Sequence, residues 1–289
     1  MTTPPGATRE EATGDYHGQP TRRIENEHLW LEVLSAAGPR IIRLGLSDSS
    51  DNVLAETPDA GWQTPLGLYE LFGGHRLWFA PEDPDLVAVP DSHGLAMTAT
   101  DNGAQLTGQP DPATGLVRSI AIQLDPGAAA VHLRHKLTNT GGASIELAPW
   151  SITQLPLGGV ATLPQAPVTS QHVVQPNRVL VLWPYTSWQD QRLVLADGEC
   201  SVRGDSGPPM KIGMFVPGGR VSYTRNGVTL TKLFAPIPNA RHADLGCNVE
   251  VYANDRYLEL ELLGPLTQLA SGDEVALDER WELTRSTAT

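Results

Sequence analysis

The stretch GCNVEVYANDRYLELELLGPL, residues 246–266, contains two runs in which apolar and polar side chains alternate. Such alternation is typical of a β-strand with one buried face. The runs flank an Asn-Asp pair at residues 254–255, and both residue types tolerate the positive φ of a type I′ turn. We therefore predict a β-hairpin in which Glu250 lies opposite Glu259.

The two faces of this hairpin differ in chemistry. One face carries only Cys, Val and Leu, and we expect it in the core. The other carries the carboxylates of Glu250, Glu259 and Glu261 beside Asn248 and two tyrosines. Like charges on neighbouring strands destabilise a sheet unless a cation, a proton or a ligand intervenes. The sequence leaves two interpretations open, a solvated face or the wall of a sugar-sized cleft. The cations available to a cleft are Arg76, Lys211 and Lys232.

The rest of the chain favours the same fold class. From Ile24 to residue 283, short β-rich runs recur about every 8–12 residues. A helical period occurs only in residues 64–72. We predict an all-β fold, a β-supersandwich of two large antiparallel sheets forming a single domain over residues 21–289. Residues 1–20 are poor in apolar side chains, and we predict a disordered tail there.

Charge and composition exclude several classes of partner. The net charge is −13, which opposes binding to a phosphate backbone, so we expect no nucleic acid partner. No apolar run approaches the ~20 residues of a membrane span, and the start lacks the pattern of a secretion signal. We expect a soluble, cytoplasmic protein without a membrane partner. Cys200 and Cys247 stand far apart, and no His or Cys spacing indicates a metal site, so we expect no metal and no cofactor.

A second polar cluster lies in LYELFGGHRLWFAPE, residues 68–82. Its two glycines permit a tight turn, and the residues that follow carry groups able to bind a polyhydroxylated ring. These residues are His75, Arg76, Trp78 and Glu82. An imidazole titrates near neutral pH, so His75 is a candidate general acid. The alternative is a structural turn in which Arg76 pairs with Glu82 and Trp78 enters the core.

Ordered motifs along the chain resemble a known superfamily. They include LEVLSAAGPRIIRLGL (31–46), GGHRLWFAPE (73–82), LAPWSITQLPLGG (147–159), WPYTSWQDQRL (183–193) and the hairpin above. Together they resemble the galactose mutarotase-like (aldose 1-epimerase-like) superfamily, and more narrowly a bacterial branch of it known as a domain of unknown function. The resemblance covers residues 24–285, and it implies a β-supersandwich whose concave face binds carbohydrate.

The resemblance also implies roles for individual residues. A glutamate on a late strand is the base of the mutarotases, and Glu261 matches it by its place before residues 269–273. In the mutarotases a histidine acts as the acid, and at the matching position this chain has Trp150. The resemblance therefore implies that His75 supplies the acid from across the cleft. Trp150 and Gln154 are then sugar-binding groups.

The predicted function is that of an aldose 1-epimerase-like isomerase that binds a small-molecule carbohydrate. Glu261 is the base and His75 the acid, and the hydroxyls or an acidic substituent of the sugar are oriented by Arg76, Trp78, Glu82, Lys211, Asn248 and Glu250. The basic residues favour a phosphorylated or uronic sugar, or they simply neutralise Glu250 and Glu259. Two alternatives stay open: a non-catalytic sugar-binding protein, and a glycosidase or lyase built on paired carboxylates.

Overall fold

The computed structural model describes residues 9–165 and 175–285. The described residues form 23 β-strands and no α-helix, so none of them forms a helix that could cross a membrane. In chain order the strands are β1 (Arg9–Tyr16), β2 (Gln19–Glu25), β3 (Leu29–Leu34), β4 (Arg40–Leu46), β5 (Glu56–Thr64), β6 (Gly67–Gly73), β7 (His75–Ala80), β8 (Ala96–Thr100), β9 (Gly103–Thr107), β10 (Leu116–Leu124), β11 (Ala130–Asn139), β12 (Ile145–Pro156), β13 (Val160–Pro164), β14 (Leu180–Leu182), β15 (Leu193–Leu195), β16 (Glu199–Arg203), β17 (Met210–Met214), β18 (Arg220–Arg225), β19 (Val228–Phe234), β20 (Val249–Ala253), β21 (Tyr257–Leu263), β22 (Thr267–Leu269) and β23 (Glu274–Arg285).

Two large antiparallel sheets make up the molecule, which confirms the predicted fold class. The eleven-stranded sheet has the order β1-β2-β3-β4-β7-β12-β21-β20-β17-β14, with β22 paired to β12. The ten-stranded sheet has the order β15-β16-β13-β18-β19-β23-β11-β10-β9-β8, and β5 and β6 form a separate hairpin. Each of the two large sheets joins strands from early and late parts of the sequence, so distant motifs become neighbours.

The hydrophobic core lies between the two large sheets. On β21 the side chains of Leu258, Leu260 and Leu262 are fully buried in it. Burying one leucine stabilises the fold by roughly 1.5–3 kcal/mol, so these three leucines fix which face of β21 points to the core. We call the opposite side of the eleven-stranded sheet its outer face. The alternation predicted for the hairpin is confirmed for these residues.

The register of the hairpin differs from the prediction. Glu250 pairs with Glu261, not with Glu259, and Ala253 pairs with Leu258. The loop is longer than predicted because the side-chain oxygen of Asn254 accepts hydrogen bonds from the main-chain N–H groups of residues 256 and 257. A shift of two residues preserves alternation, so the glutamates keep the face predicted for them while their partners change.

The fold begins earlier than the sequence indicated. Strand β1 lies in the stretch predicted as a disordered tail and pairs with β2, and residues 1–8 of that stretch lie outside the described residues. Tyr16 is fully buried, and its hydroxyl donates a hydrogen bond to the main-chain oxygen of Phe72. Pairing of the main chain and one buried aromatic ring hold a segment whose composition alone is unfavourable for folding.

Residues 64–72 are not helical, contrary to the weak period in the sequence. They belong to the hairpin of β5 and β6, which turns near Gly67 with φ of 130°. The chain then enters β7 through Gly73 and Gly74, whose φ values are 99° and 66°. A Cβ at either glycine would collide with a main-chain oxygen, so the tight turn predicted here requires glycine.

Candidate functional site

One row of residues crosses five adjacent strands of the eleven-stranded sheet. In register, Arg76 of β7 lies beside Ile152 of β12, and Ile152 lies beside Glu261 of β21. Glu261 pairs with Glu250 of β20, which pairs with Gly213 of β17. Residues in register point to the same side of a sheet, so Arg76, Glu250 and Glu261 share the outer face.

Lys211 bridges the two paired glutamates. Its Nζ lies 2.7 Å from Oε2 of Glu250 and 2.9 Å from Oε2 of Glu261. Glu250 and Glu261 are fully buried, and Lys211 is 5% exposed. Burial alone would lower the pKa of Lys211, but the charges of Glu261 and Glu250 raise it well above its usual range. The lysine is therefore a fixed cation between two carboxyl groups.

A single ammonium cannot neutralise two buried carboxylates, and the surplus falls on Glu250. Burial raises the pKa of Glu250 well above its ordinary value, Lys211 opposes this, and the charge of Glu261 adds to it. Its buried position beside Glu261 therefore favours the protonated form of Glu250. The Oε1 atoms of Glu250 and Glu261 make no hydrogen bond within the described residues. Paired carboxyl groups in different protonation states provide an acid and a base within one site.

Two indole rings enclose this pair. Trp150 donates a hydrogen bond from Nε1 to Oε2 of Glu261 at 2.7 Å. The Nζ of Lys211 lies 4.5 Å from the ring centre of Trp150 and 4.8 Å from that of Trp183. Trp150 is 4% exposed, so little of its ring is accessible to a ligand in this structure. Trp150 thus orients Glu261.

A second ion pair continues the outer face toward β7. Arg76 donates from Nη2 to Oε1 of Glu259 at 2.9 Å, and its guanidinium lies 4.4 Å from the ring centre of Trp78. Trp78 contacts Trp150 edge to face, so it supports that ring from behind. The Nε and Nη1 of Arg76 and the Nε2 of Gln154 are buried donors without a hydrogen-bond acceptor in the described chain. The predicted pairing of Arg76 with Glu82 does not form.

We call the more accessible residues near Glu250 and Glu261 the rim. They include the exposed Glu82 and Tyr185 and the half-buried Asp244. Enclosure by the surrounding protein raises the pKa of Glu82, Lys211 opposes this, and the charges of Glu261 and Asp244 add to it. Enclosure also raises the pKa of Tyr185. The charge of Lys211 opposes this rise, and the charge of Glu261 adds to it. Sequence reasoning included Glu82 but missed Tyr185 and Asp244, because both belong to connections whose position depends on the folded chain.

His75 does not reach this site. It pairs with Thr153, one residue away from the row of Arg76 and Glu261, so its side chain points to the core face of the same sheet. There it is fully buried, with Nδ1 2.9 Å from Oγ1 of Thr153 and Nε2 2.6 Å from Nε2 of His135. Burial lowers its pKa far below the usual value. The structure thus rules out the predicted role of His75 as the acid opposite Glu261.

His75, His135 and Glu279 place potential metal-ligand atoms within 4.8 Å of one another. All three are buried between the sheets. Their atoms are already engaged: His135 bonds through Nδ1 to the main-chain oxygen of Leu277, and Glu279 accepts a hydrogen bond from Trp281. The chemistry of this group is satisfied by the protein itself, so we interpret it as structural.

Two further predicted residues have other partners. The side-chain oxygen of Asn248 accepts a hydrogen bond from the main-chain N–H of Val216 at 2.7 Å, and its Nδ2 donates to the oxygen of Val216. These two bonds hold the chain at Val216. Lys232 points to the core, where it pairs with Glu279 at 3.3 Å, so it does not neutralise Glu250 or Glu259.

Comparison with known proteins gives matches only among solved structures, since no family model and no curated protein matches. A TPR-domain containing protein from Parabacteroides distasonis superposes with a TM-score of 0.65 at 14% identity, over 94% of this chain and 48% of that one. This chain therefore spans about half the length of that neighbour. A galactose mutarotase-like protein from Lactobacillus casei superposes with a TM-score of 0.53 at 9% identity, over 91% and 100% of the two chains.

A galactose mutarotase related enzyme from Lactobacillus acidophilus gives a TM-score of 0.51 at 9% identity, over 92% and 98% of the two chains. At such identities a likeness establishes the fold and not the activity. The resemblance deduced from the sequence motifs is therefore confirmed for the architecture. The chain has the galactose mutarotase-like fold.

Proposed function

We propose that this protein is an aldose 1-epimerase-like isomerase that interconverts the anomers of a sugar at Glu250 and Glu261. The observation that carries the proposal is the pairing of these two buried carboxyl groups across one lysine. The raised pKa of Glu250 suits the role of the acid. Acid and base catalysis needs one group of each kind within reach of the same substrate. The galactose mutarotase-like fold supports carbohydrate as the substrate class.

The reaction follows from these two protonation states. Glu261 accepts the proton of the C1 hydroxyl while Glu250 donates its proton to the ring oxygen. The bond between C1 and the ring oxygen breaks and gives the open-chain aldehyde. Rotation about the bond between C1 and C2 presents the other face of the aldehyde. The hydroxyl of C5 then attacks C1 and returns its proton to Glu250, and Glu261 returns its proton to the oxygen of C1.

Neighbouring groups support the pair. Lys211 and Trp150 hold Oε2 of Glu261 at 2.9 Å and 2.7 Å, which leaves its Oε1 for the substrate. The unpartnered N–H groups of Arg76 and Gln154 suit hydroxyl oxygens elsewhere on the ring. Both carboxyl groups are fully buried in this structure, so substrate contact requires movement at the rim, where Glu82 and Tyr185 are exposed.

The test is anomer exchange measured by NMR saturation transfer on a panel of aldoses. Glu261→Gln and Glu250→Gln should each abolish the accelerated exchange, because one removes the base and the other the acid. Glu274→Gln is the matched control, since Glu274 is exposed and pairs only with Lys136. Acceleration that persists in both site variants would contradict the assignment.

A non-catalytic sugar-binding protein is the second candidate, and one observation favours it. The Oε2 of Glu261 already accepts hydrogen bonds from both Trp150 and Lys211, so this oxygen is engaged by the protein itself. If the protein only binds sugar, calorimetry should show binding that survives Glu261→Gln, and no sugar should show accelerated anomer exchange. Release of a new reducing end from a disaccharide would instead indicate a glycosidase, whose paired carboxyl groups stand ~5–9 Å apart.

A further inference from the structure

We propose that the preferred sugar carries a protonated amine on C2, next to its anomeric carbon. The inference rests on the proposed function, because it assumes that a sugar places C1 at Glu250 and Glu261. An amine on C2 is the substituent closest to that carbon, and the charges that surround the pair favour it.

The cations of the outer face already have anionic partners. Lys211 is held between Glu250 and Glu261, and its pairing distances are 2.7 Å and 2.9 Å. Arg76 is paired with Glu259 at 2.9 Å. A phosphate or carboxylate on the sugar would have to compete with these carboxylates for the same cations. The ion pairs therefore favour a cationic sugar over the phosphorylated or uronic sugar that the basic residues suggested, and the two unpartnered N–H groups of Arg76 remain for hydroxyl oxygens.

The acids of the same region exceed the cations. Glu82 and Asp244 act electrostatically on this pair, and within the described chain neither has a basic side chain within ion-pair distance. Glu82 is exposed and Asp244 is half buried, so each carboxylate is accessible to a bound molecule. Lys211 contacts Glu250 and Glu261 directly, and the charges of Glu82 and Asp244 also act on this site.

Unpartnered buried atoms provide an independent indication of a ligand. The Oε1 atoms of Glu250 and Glu261 belong to fully buried side chains and have no hydrogen-bond donor among the described residues. A buried polar atom without a partner is costly, and the polar groups of a bound ligand would satisfy these two. C2 is bonded directly to C1, so an amine there is the substituent most exposed to these carboxyl groups.

The experiment is calorimetric binding at neutral pH or slightly below, where the amine of glucosamine is protonated. The probes are glucosamine, N-acetylglucosamine, glucose, glucose 6-phosphate and glucuronate. We expect glucosamine to bind at least about tenfold more tightly than N-acetylglucosamine or glucose, as one hydrogen-bonded charge provides. We expect the two anionic sugars to bind most weakly. Equal or tighter binding of either anionic sugar would overturn the inference.

Charge-neutralising variants locate the effect. Glu82→Gln and Asp244→Asn should each reduce the preference for glucosamine over glucose, and the double variant should reduce it most. Asp278→Asn removes the same charge from the exposed pair with Arg134 on the other sheet and should leave the preference unchanged. A preference that is unchanged in the double variant would refute the role of these two carboxylates.

The same data separate this inference from the proposed function. Binding of glucosamine without any anomer exchange supports the inference and removes the isomerase. Anomer exchange on neutral and anionic sugars without a preference for the amine supports the isomerase and removes the inference. Absence of binding and of exchange for every sugar overturns both.

Discussion

Two buried ionic clusters lie on opposite faces of β12, and each contains a lysine, a glutamate and a tryptophan. In the outer cluster, Lys211 faces Glu250 and Glu261. In the inner cluster, between the sheets, Lys232 faces Glu279. The two clusters differ in how completely their polar atoms are paired, and this difference separates a candidate site from a structural element.

The inner cluster is fully paired. Lys232 donates to Oγ1 of Thr153 at 2.9 Å, and that hydroxyl contacts Nδ1 of His75. His135 contacts the main-chain oxygen of Leu277 through Nδ1, so this nitrogen carries its proton, and its Nε2 accepts from Nε2 of His75. A single chain of donors and acceptors thus runs from Lys232 to the main chain, with both histidines neutral.

Glu279 completes the inner cluster. It accepts hydrogen bonds from Ser151 and from Nε1 of Trp281. Burial raises the pKa of Glu279, but Lys232, His135 and these donors lower it below the ordinary value. In the outer cluster the pKa of Glu250 is raised and two carboxyl oxygens stay unpartnered. Complete pairing indicates a structural role, whereas incomplete pairing and a raised pKa indicate a ligand site.

The largest expected effect is the contrast between Glu279→Gln and Glu250→Gln. The first leaves Lys232 as a buried charge without its counter-ion and should cost about 3–5 kcal/mol in the free energy of unfolding. The second replaces a carboxyl group whose raised pKa favours its neutral form and removes a surplus acid, so it should cost no more than about 1 kcal/mol. Urea denaturation followed by fluorescence measures both. Equal losses would mean that the two clusters serve the same structural purpose.

The inner histidines predict a loss of stability in acid. Burial is the main cause that lowers the pKa of His75 and of His135 below 6.5. Below that pH the unfolded chain binds protons that the native protein does not. The free energy of unfolding should therefore fall as the pH falls, by up to about 1.4 kcal/mol per pH unit for each histidine.

Glu250 changes the free energy of unfolding with pH in the opposite direction to the histidines. Its pKa is raised, so above about pH 4.5 the native protein keeps a proton that the unfolded chain releases, and this contribution weakens as the pH rises. Urea unfolding against pH should consequently show a steeper acid loss in Glu250→Gln than in the natural protein. The exposed His93 provides the control substitution His93→Gln, which should leave the slope unchanged. A flat profile in Glu250→Gln would refute the neutral state of the inner histidines.

A smaller effect is expected where the inner chain is cut at Thr153. Thr153→Val keeps the shape but removes the hydroxyl that joins Lys232 to His75. The two groups left without a partner should cost about 1–3 kcal/mol. Thr98→Val, on an exposed position of β8, is the matched control. An unchanged urea midpoint in Thr153→Val would show that the chain of hydrogen bonds contributes little.

The sequence predicted on which face of a strand a side chain lies, but it predicted less well which residues pair across strands. Alternation places Glu250 and Glu261 on one face because a side chain in a strand has only two sides. The same rule separates His75 from Arg76, since neighbours in a strand point to opposite faces, so that signal was present in the sequence. The register was not, because it depends on how the side chain of Asn254 extends the loop. The position of Tyr185 depends on a long connection between the sheets.

The smallest effect on stability, and the most direct on binding, is expected at the rim of the outer cluster. Tyr185 is 51% exposed, so Tyr185→Ala should change the free energy of unfolding by no more than about 0.5 kcal/mol. An aromatic ring packed on a sugar contributes about 0.5–1.5 kcal/mol, so sugar affinity measured by calorimetry should fall about three- to tenfold. Trp188→Ala, at a residue of the same connection that is 87% exposed, should alter neither quantity. If Tyr185→Ala lowers stability and leaves affinity unchanged, the rim is part of the scaffold, and incomplete pairing beneath it no longer indicates a ligand.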